Sequence, residues 1–341
     1  MTTALIYSQK YLEHMVGWGH PERPERLKVS TEALKKAGLW GTEENLVVEP
    51  LPAKISDITL VHTKDYIELV EKLSRSEIPI DGDTPTRKNT FQLSLLSAGG
   101  AIAAGKIVVE GKANNSFALI RPPGHHAFSD RGGGFCYFNN MAVMIRALQR
   151  DLGVKKVFVL DIDAHHGNGT QDIFYEDPGV FYMSFHQHPH TLYPGSGFPE
   201  EIGSKDGEGF TANVPMEPGS GDGEYAAAVE KVFLPICEQF APQMIAVSIG
   251  FDAHADDPLT GLRLSSSGYG WIAQKVVEMA GKICDGKTVF LLEGGYSLKA
   301  MEEGVVNVVK ALNGEKFAPP GEKSLAVIGA LRKALEKWWK F

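Results

Sequence analysis

Asp163 and His165 stand two residues apart, directly after the apolar run Val157–Leu160. On an extended strand end such a pair points to one side. Asp252 follows a different apolar run, Met244–Ile249, and offers a third ligand atom. Two carboxylates and one imidazole suit zinc, or iron(II) or cobalt in its place. Three protein ligands leave a position for water, which marks a catalytic site and not a structural one. The tandem His125-His126 follows the run Phe117–Ile120 and supplies the next requirement of metal-assisted hydrolysis. One imidazole can take a proton from the water while the other manages the proton delivered to the leaving amine. Asp161 and Asn168 are candidates to fix the two tautomers. Tyr296, after a Gly-Gly turn, can donate its hydroxyl to a developing oxyanion.

Singly, each signal is weak. A histidine pair, an Asp-x-Asp-x-His or a Gly-Gly-Tyr is more often an accident of surface, capping or turn. Their weight comes from convergence, because five apolar runs are each followed by a segment that delivers Asp, His or Tyr. In open α/β sheets ligands bind beyond the carboxyl ends of the strands. The segment His186-Gln-His188-Pro-His190 resembles a metal tract, but Pro189 and the spacing give no tetrahedral set, and it reads as a loop. Cys136 reads as small packing beside the site.

The elements that must position these residues are legible as an alternation. Strands are expected at Ala4–Tyr7, Phe117–Ile120, Val157–Leu160, Val180–Phe185, Met244–Ile249 and Thr288–Leu292, nearly continuously apolar, as strands buried on both faces are. Helices are expected at Pro24–Ala37, Thr90–Glu110, Asn140–Leu152, Asp222–Phe240, Ser266–Cys284, Leu298–Leu312 and Lys323–Trp338. Pro235 should kink or split its helix. The pattern predicts a single α/β domain over residues 1–341, with a central, mostly parallel sheet and helices on both faces.

The 341 residues are 43% hydrophobic and 22% charged, with 34 Lys+Arg against 42 Asp+Glu, a net charge of −8. Such acidity argues against sequence-independent nucleic-acid binding and is compatible with a cationic partner. Three cysteines, Cys136, Cys237 and Cys284, without CxxC spacing, argue against a disulfide framework or a cysteine metal site. No signal-peptide pattern and no uninterrupted apolar run near ~20 residues occur, so a cytoplasmic chain without a membrane span is expected.

Five segments together resemble the histone deacetylase superfamily. They are Arg-Pro-Pro-Gly-His-His (121–126), Gly-Gly-Phe-Cys-Tyr-Phe-Asn-Asn (133–140), Asp-Ile-Asp-Ala-His-His-Gly-Asn-Gly-Thr-Gln (161–171), Gly-Phe-Asp-Ala-His (250–254) and Leu-Glu-Gly-Gly-Tyr (292–296). His-Pro-Glu-Arg-Pro-Glu-Arg-Leu (20–27) is similar to that family's N-terminal motif, and the likeness runs from about residue 5 to residue 312. The class II branch and its bacterial and archaeal relatives are most similar, with acetylpolyamine amidohydrolases and acetoin-utilisation-type deacetylases nearby.

The resemblance implies an arginase/deacetylase-type fold, with zinc on Asp163, His165 and Asp252. It implies His126 as general base, His125 as its electrostatic or proton-transfer partner, and Tyr296 polarising the acyl carbonyl. It further implies a tunnel lined by Gly134, Phe135 and Tyr193, a rim aspartate at Asp83, and Arg26 near an internal product channel. A structural potassium site using Asp161, Ser184 and the backbone carbonyls of Asp163 and His165 belongs to the same implication, as does binding of hydroxamate inhibitors. The expected substrate is an acyl-lysine protein or peptide, or a small acylated amine, and a homo-oligomer is compatible with the family. Asn168 stands where other branches carry aspartate, and Tyr193 where Phe is common.

Leu259 occupies the place of a glutamate in polyamine-selective relatives, which favours acyl-lysine without deciding against acetylpolyamines. A binuclear manganese ureohydrolase would want carboxylates at His166 and Gly250. A non-catalytic binding protein would have lost a ligand, a histidine or the tyrosine.

Overall fold

The computed structural model describes residues 2–341. Among them, eight strands form one sheet: β1 (Thr3–Ile6), β2 (Asn45–Val48), β3 (Asn115–Ala118), β4 (Val157–Asp161), β5 (Val180–Gln187), β6 (Thr211–Met216), β7 (Met244–Ile249) and β8 (Thr288–Leu292). Their order is β2-β1-β3-β8-β7-β4-β5-β6, and every pairing is parallel, so the expected mostly parallel sheet is wholly parallel. β3, β4, β7 and β8 are buried at every position, which is why β4, β7 and β8 read as nearly continuous apolar runs; β3 begins with the polar Asn115 and Ser116.

Helices cover the sheet: α1 (Glu25–Lys36), α2 (Ile55–Ile58), α3 (Lys64–Ser76), α4 (Thr90–Val109), α5 (Asn140–Leu152), α6 (Asn168–Phe174), α7 (Asp222–Ala228), α8 (Leu234–Phe240), α9 (Ser266–Ile283), α10 (Leu298–Leu312) and α11 (Val327–Leu335). The expected boundaries of α5 and α10 are reproduced. The last helix is shorter than Lys323–Trp338, but it does bury one face, through Ile328, Leu331 and Leu335. Between α7 and α8 the chain makes a π-turn over Val229–Phe233, where the Leu234 N–H reaches the Val229 carbonyl. That wider turn accommodates Pro235, which has no N–H to give, so the helix is split by a bulge and not by a sharp bend.

Three sequence expectations are corrected. The first strand is Thr3–Ile6, and the third ends at Ala118, so Leu119 and Ile120 lie beyond its ladder. β2 and β6 were not expected. β2 is an edge strand with Leu46 and Val47 exposed, and β6 carries Pro215, which an edge tolerates. Finally, α4 is by length and composition apolar enough to cross a membrane, yet 72% of that stretch is buried inside the protein. Its apolar residues are spaced by Gly and Ser, whose small side chains let the helix lie close to its neighbours. Gly99 is one such point, where a Cβ would meet the Leu51 carbonyl at 2.0 Å.

Candidate active site

The carboxyl ends of β3, β4, β7 and β8 and the loops after them converge. Asp163, His165 and Asp252 each present a ligand atom within 4.8 Å of the others. Asp163 Oδ1 lies 3.1 Å and Asp252 Oδ2 3.0 Å from His165 Nδ1. The outer oxygens are held by backbone: Asp252 Oδ1 accepts from the Ala164 N–H (2.8 Å) and Asp163 Oδ2 from the Gly294 N–H (2.8 Å). Both carboxylates are fully buried.

The electrostatics call for a cation at this point. Burial, then the neighbouring Asp163, pushes Asp252 up to about 7. Burial opposes a charged His165, yet Asp163 and Asp252 hold it up to about 10. Burial also opposes ionisation of Asp163, but His125 and His165 keep its carboxyl well below the usual range. Two buried carboxylates facing one imidazole nitrogen fit a divalent metal, which would replace the proton that the site otherwise attracts.

The tandem histidines sit beside this group with unlike partners. His125 Nδ1 is 3.1 Å from Asp161 Oδ2, which also accepts from the Tyr182 hydroxyl (3.2 Å). His126 Nδ1 is 2.8 Å from Asn168 Oδ1. Burial lowers both imidazoles, but Asp163 and Asp161 raise His125 to about 10. For His126, burial and then the charges on His125 and His165 push it well below its ordinary value. The surroundings therefore polarise the pair, favouring the charged form of His125 and the neutral form of His126.

Glu293 holds this segment from β8. Its Oε2 accepts the N–H groups of Gly124 (2.7 Å) and His125 (3.2 Å). Tyr296 is 9% exposed and packs edge-on against Phe135, with ring centroids 5.8 Å apart. The guanidinium of Arg26 lies 5.1 Å over the Tyr296 ring. That guanidinium is fully buried and donates to the carbonyls of Gly295 (2.6 Å) and Glu293 (2.5 Å) and to Glu22 (3.1 Å). Glu22 also pairs with Arg121, so one buried carboxylate serves two guanidiniums.

Around the rim, Tyr193 packs against His126 at 5.1 Å and is 48% exposed. Gly134 fits between them, since a Cβ there would lie 2.6 Å from His126 Cδ2 and 3.0 Å from Tyr193 Cε1. Phe135 adopts a left-handed φ of 69°, its N–H bound to Thr84 Oγ1 at 3.1 Å. Asp83 is exposed; its carbonyl oxygen lies 3.1 Å from His20 Nε2, and its N–H donates to Asp81 Oδ1 at 3.1 Å. Leu259 is exposed on the loop after β7. Ser184 is buried on β5 opposite Asp161, its hydroxyl 2.8 Å from His186 Nδ1.

The segment His186–His190 is not simply a loop. His186 is buried in β5, with its Nε2 2.9 Å from the Gly197 carbonyl oxygen, while His188 and His190 lie in the turn beyond. His166 faces away from the metal group, its nitrogens 2.9 Å from Ser196 Oγ and 2.9 Å from Gln171 Oε1. At Gly250 a Cβ would lie 2.0 Å from Asp163 Oδ2, so no second bridging carboxylate fits there. Sequence reasoning missed Glu22, Glu293 and Asp257 as site residues, although Glu22 and Glu293 lie inside motifs already singled out and Asp257 follows one by three residues.

One parallel sheet with a buried Asp-His-Asp group at its carboxyl edge defines an α/β fold of the arginase/deacetylase type. Residues 20–312 match the histone deacetylase domain. A probable deacetylase of Archaeoglobus fulgidus is 43% identical over 92% of this chain and 87% of its own length. A probable deacetylase of Methanothermobacter thermautotrophicus is 40% identical over 92% of both chains. The crystal structure of the HDA15 HD domain superposes with a TM-score of 0.91 at 34% identity, covering 99% of this chain and 95% of that one. The chain belongs to the histone deacetylase family and is a hydrolytic deacetylase.

Proposed function

We propose that the protein is a zinc-dependent deacetylase that hydrolyses the acyl amide of N-ε-acyl-lysine side chains in proteins or peptides. The observation that carries this reading is the adjacency of the Asp163–His165–Asp252 group to two histidines with unlike partners, His125 on the Asp161 carboxylate and His126 on the neutral Asn168 amide. Asp163, His165 and Asp252 would hold the zinc, which supplies Lewis acidity toward the carbonyl and the attacking water. His126 takes the proton of that water. Tyr296 donates its hydroxyl to the acyl oxygen as negative charge develops there. The imidazolium then returns a proton to the departing lysine nitrogen, and His125, held by Asp161, keeps the compensating charge nearby. Phe135 and Tyr193 flank the entry of an aliphatic chain. A potassium ion at Asp161 and Ser184 is part of the same proposal.

Asp81 and Asp83 put two carboxylates at the rim. Asp81 Oδ2 lies beside Gly133 and the Tyr193 hydroxyl, because a Cβ on Gly133 would meet them at 2.9 and 3.5 Å. This favours substrates with a second positive charge and supports a second reading, acetylpolyamine deacetylation by the same chemistry.

The test is hydrolysis of a fluorogenic acetyl-lysine peptide by zinc-loaded protein, with a hydroxamate and Asp163→Ala as controls. Hydroxamate-sensitive activity that vanishes in Asp163→Ala supports the proposal. N-acetylputrescine turned over far faster than any acetyl-lysine peptide would move it to the second reading.

A further inference from the structure

Tyr296 hangs from a turn whose peptide groups are held on every side. Arg26 binds the carbonyls of Glu293 and Gly295, Asp163 Oδ2 accepts the Gly294 N–H, and the Phe251 N–H donates to the Gly294 carbonyl (3.1 Å). The next two amides, of Tyr296 and Ser297, converge on a single oxygen. Asp257 Oδ2 accepts them at 2.7 and 3.1 Å.

Asp257 is 7% exposed, and among the described residues no lysine or arginine forms an ion pair with it. Its other oxygen accepts the Leu259 N–H (3.0 Å), so the carboxylate is fully engaged by backbone. Helix capping does not account for this. α10 already has Ser297 as its N-cap, with the hydroxyl accepting from the Ala300 N–H at 3.3 Å, and the Tyr296 amide lies outside the helix.

We propose that Asp257 is a positioning residue for Tyr296: it holds the peptide from which the phenol reaches the acyl oxygen. The inference rests on Tyr296 being the donor described above. Gly295 on one side of the tyrosine has a φ of 114°, so the turn has no intrinsic preference for this shape and depends on its partners. A misplacement of about 1 Å in a catalytic group can cost ~10²-fold in rate. Asp257 does this work from a different strand loop than the one that carries the tyrosine. The same loop bears Asp252, so one segment sets both a metal ligand and the oxyanion donor.

The experiment is a double-mutant cycle of Asp257→Asn and Tyr296→Phe in the full, zinc-loaded protein. Rates are measured on whichever of an acetyl-lysine peptide or N-acetylputrescine the wild type turns over. Asp257→Asn is expected to lower kcat about 10- to 100-fold, with KM and metal content within about twofold of wild type. In the Tyr296→Phe background the same change is expected to cost no more than about twofold, since the hydroxyl it positions is gone.

Equal losses in both backgrounds, or a change in KM alone, overturn the proposal and leave Asp257 a structural or rim residue. Full activity of Tyr296→Phe overturns both this proposal and the role of Tyr296 beneath it. A readout independent of turnover is the side-chain resonance of Tyr296 in ¹³C-tyrosine-labelled protein, identified by its loss in Tyr296→Phe. It should shift in Asp257→Asn; an unmoved resonance also overturns the proposal.

Discussion

The ring of His126 meets the side-chain oxygen of Asn168 at 2.8 Å, and this contact decides which nitrogen can act as a base. The same oxygen accepts the Gly169 N–H at 3.1 Å, which orients the amide. His126 must then carry its proton on Nδ1, leaving the Nε2 lone pair free. Asn168→Asp replaces a neutral acceptor by an anion and stabilises the imidazolium. The pKa of His126 rises, and the acidic limb of the kcat/KM profile moves to higher pH by about 1–2 units. A limb that stays put or moves down would remove His126 as the group titrating there.

On the proposed mechanism Tyr296→Phe deletes one oxyanion donor without opening a cavity. It should fold as the wild type does and lose at least about two orders of magnitude in turnover, equivalent to roughly 2.7–4 kcal/mol. Thermal melts and steady-state rates check this, and near-wild-type turnover would take the tyrosine out of the mechanism.

Asp163→Ala should abolish stoichiometric zinc binding, read by elemental analysis after dialysis. Gly294→Ala should do much the same without removing any ligand. Its new Cβ would lie 2.3 Å from Asp252 Oδ2 and 2.6 Å from Asp163 Oδ2, so both carboxylates must move. Zinc retained at the wild-type level in Gly294→Ala would contradict this packing.

His62 gives a pH dependence of stability away from the Asp163–His165–Asp252 group. Its Nε2 accepts the Asn139 N–H at 2.9 Å, and burial lowers its pKa from 6.5 to about 4. Below pH 6.5 the unfolded chain takes a proton that the folded chain refuses until about pH 4. Stability therefore falls as the pH drops through that window, by up to roughly 3 kcal/mol at ~1.36 kcal/mol per pH unit. His62→Gln retains an acceptor that does not titrate. Denaturant melts at pH 6.5 and 4.5 should show a smaller loss in this variant than in wild type; equal losses would assign the effect to other groups.

The sequence shows most clearly what is buried on both faces. β4, β7 and β8 are visible because all but one position of each is apolar, and the chemistry-bearing residues follow at or just beyond their ends. β2 escapes because its edge position leaves Leu46 and Val47 exposed, and β6, although buried throughout, because Thr211, Asn213 and Pro215 break its apolar run. α3 was missed despite a good signal, with Thr63 as N-cap and Tyr66, Ile67, Val70 and Ser74 buried along one side. The candidate metal ligands Asp163, His165 and Asp252 were legible because residue type alone limits what they can do. The roles of Glu22, Glu293 and Asp257 were not, because a carboxylate's purpose lies in its partner. The Arg26 donor to the Gly295 carbonyl spans 269 positions, and no local pattern announces a contact at that distance.

The strand order has a consequence for how the enzyme comes into being. β1, β2 and β3 form one flank of the sheet and β4, β5 and β6 the other, and these flanks do not touch through their strands; β7 and β8 join them. A nascent chain that has emerged only as far as β6 holds the tandem histidines on one flank and Asp163 with His165 on the other. The strands still to be made act as a keystone, and they carry Asp252 and Tyr296 with them. Until that wedge enters, the partial chain has no assembled centre, so catalytic competence and closure of the core arrive in the same late, long-range step.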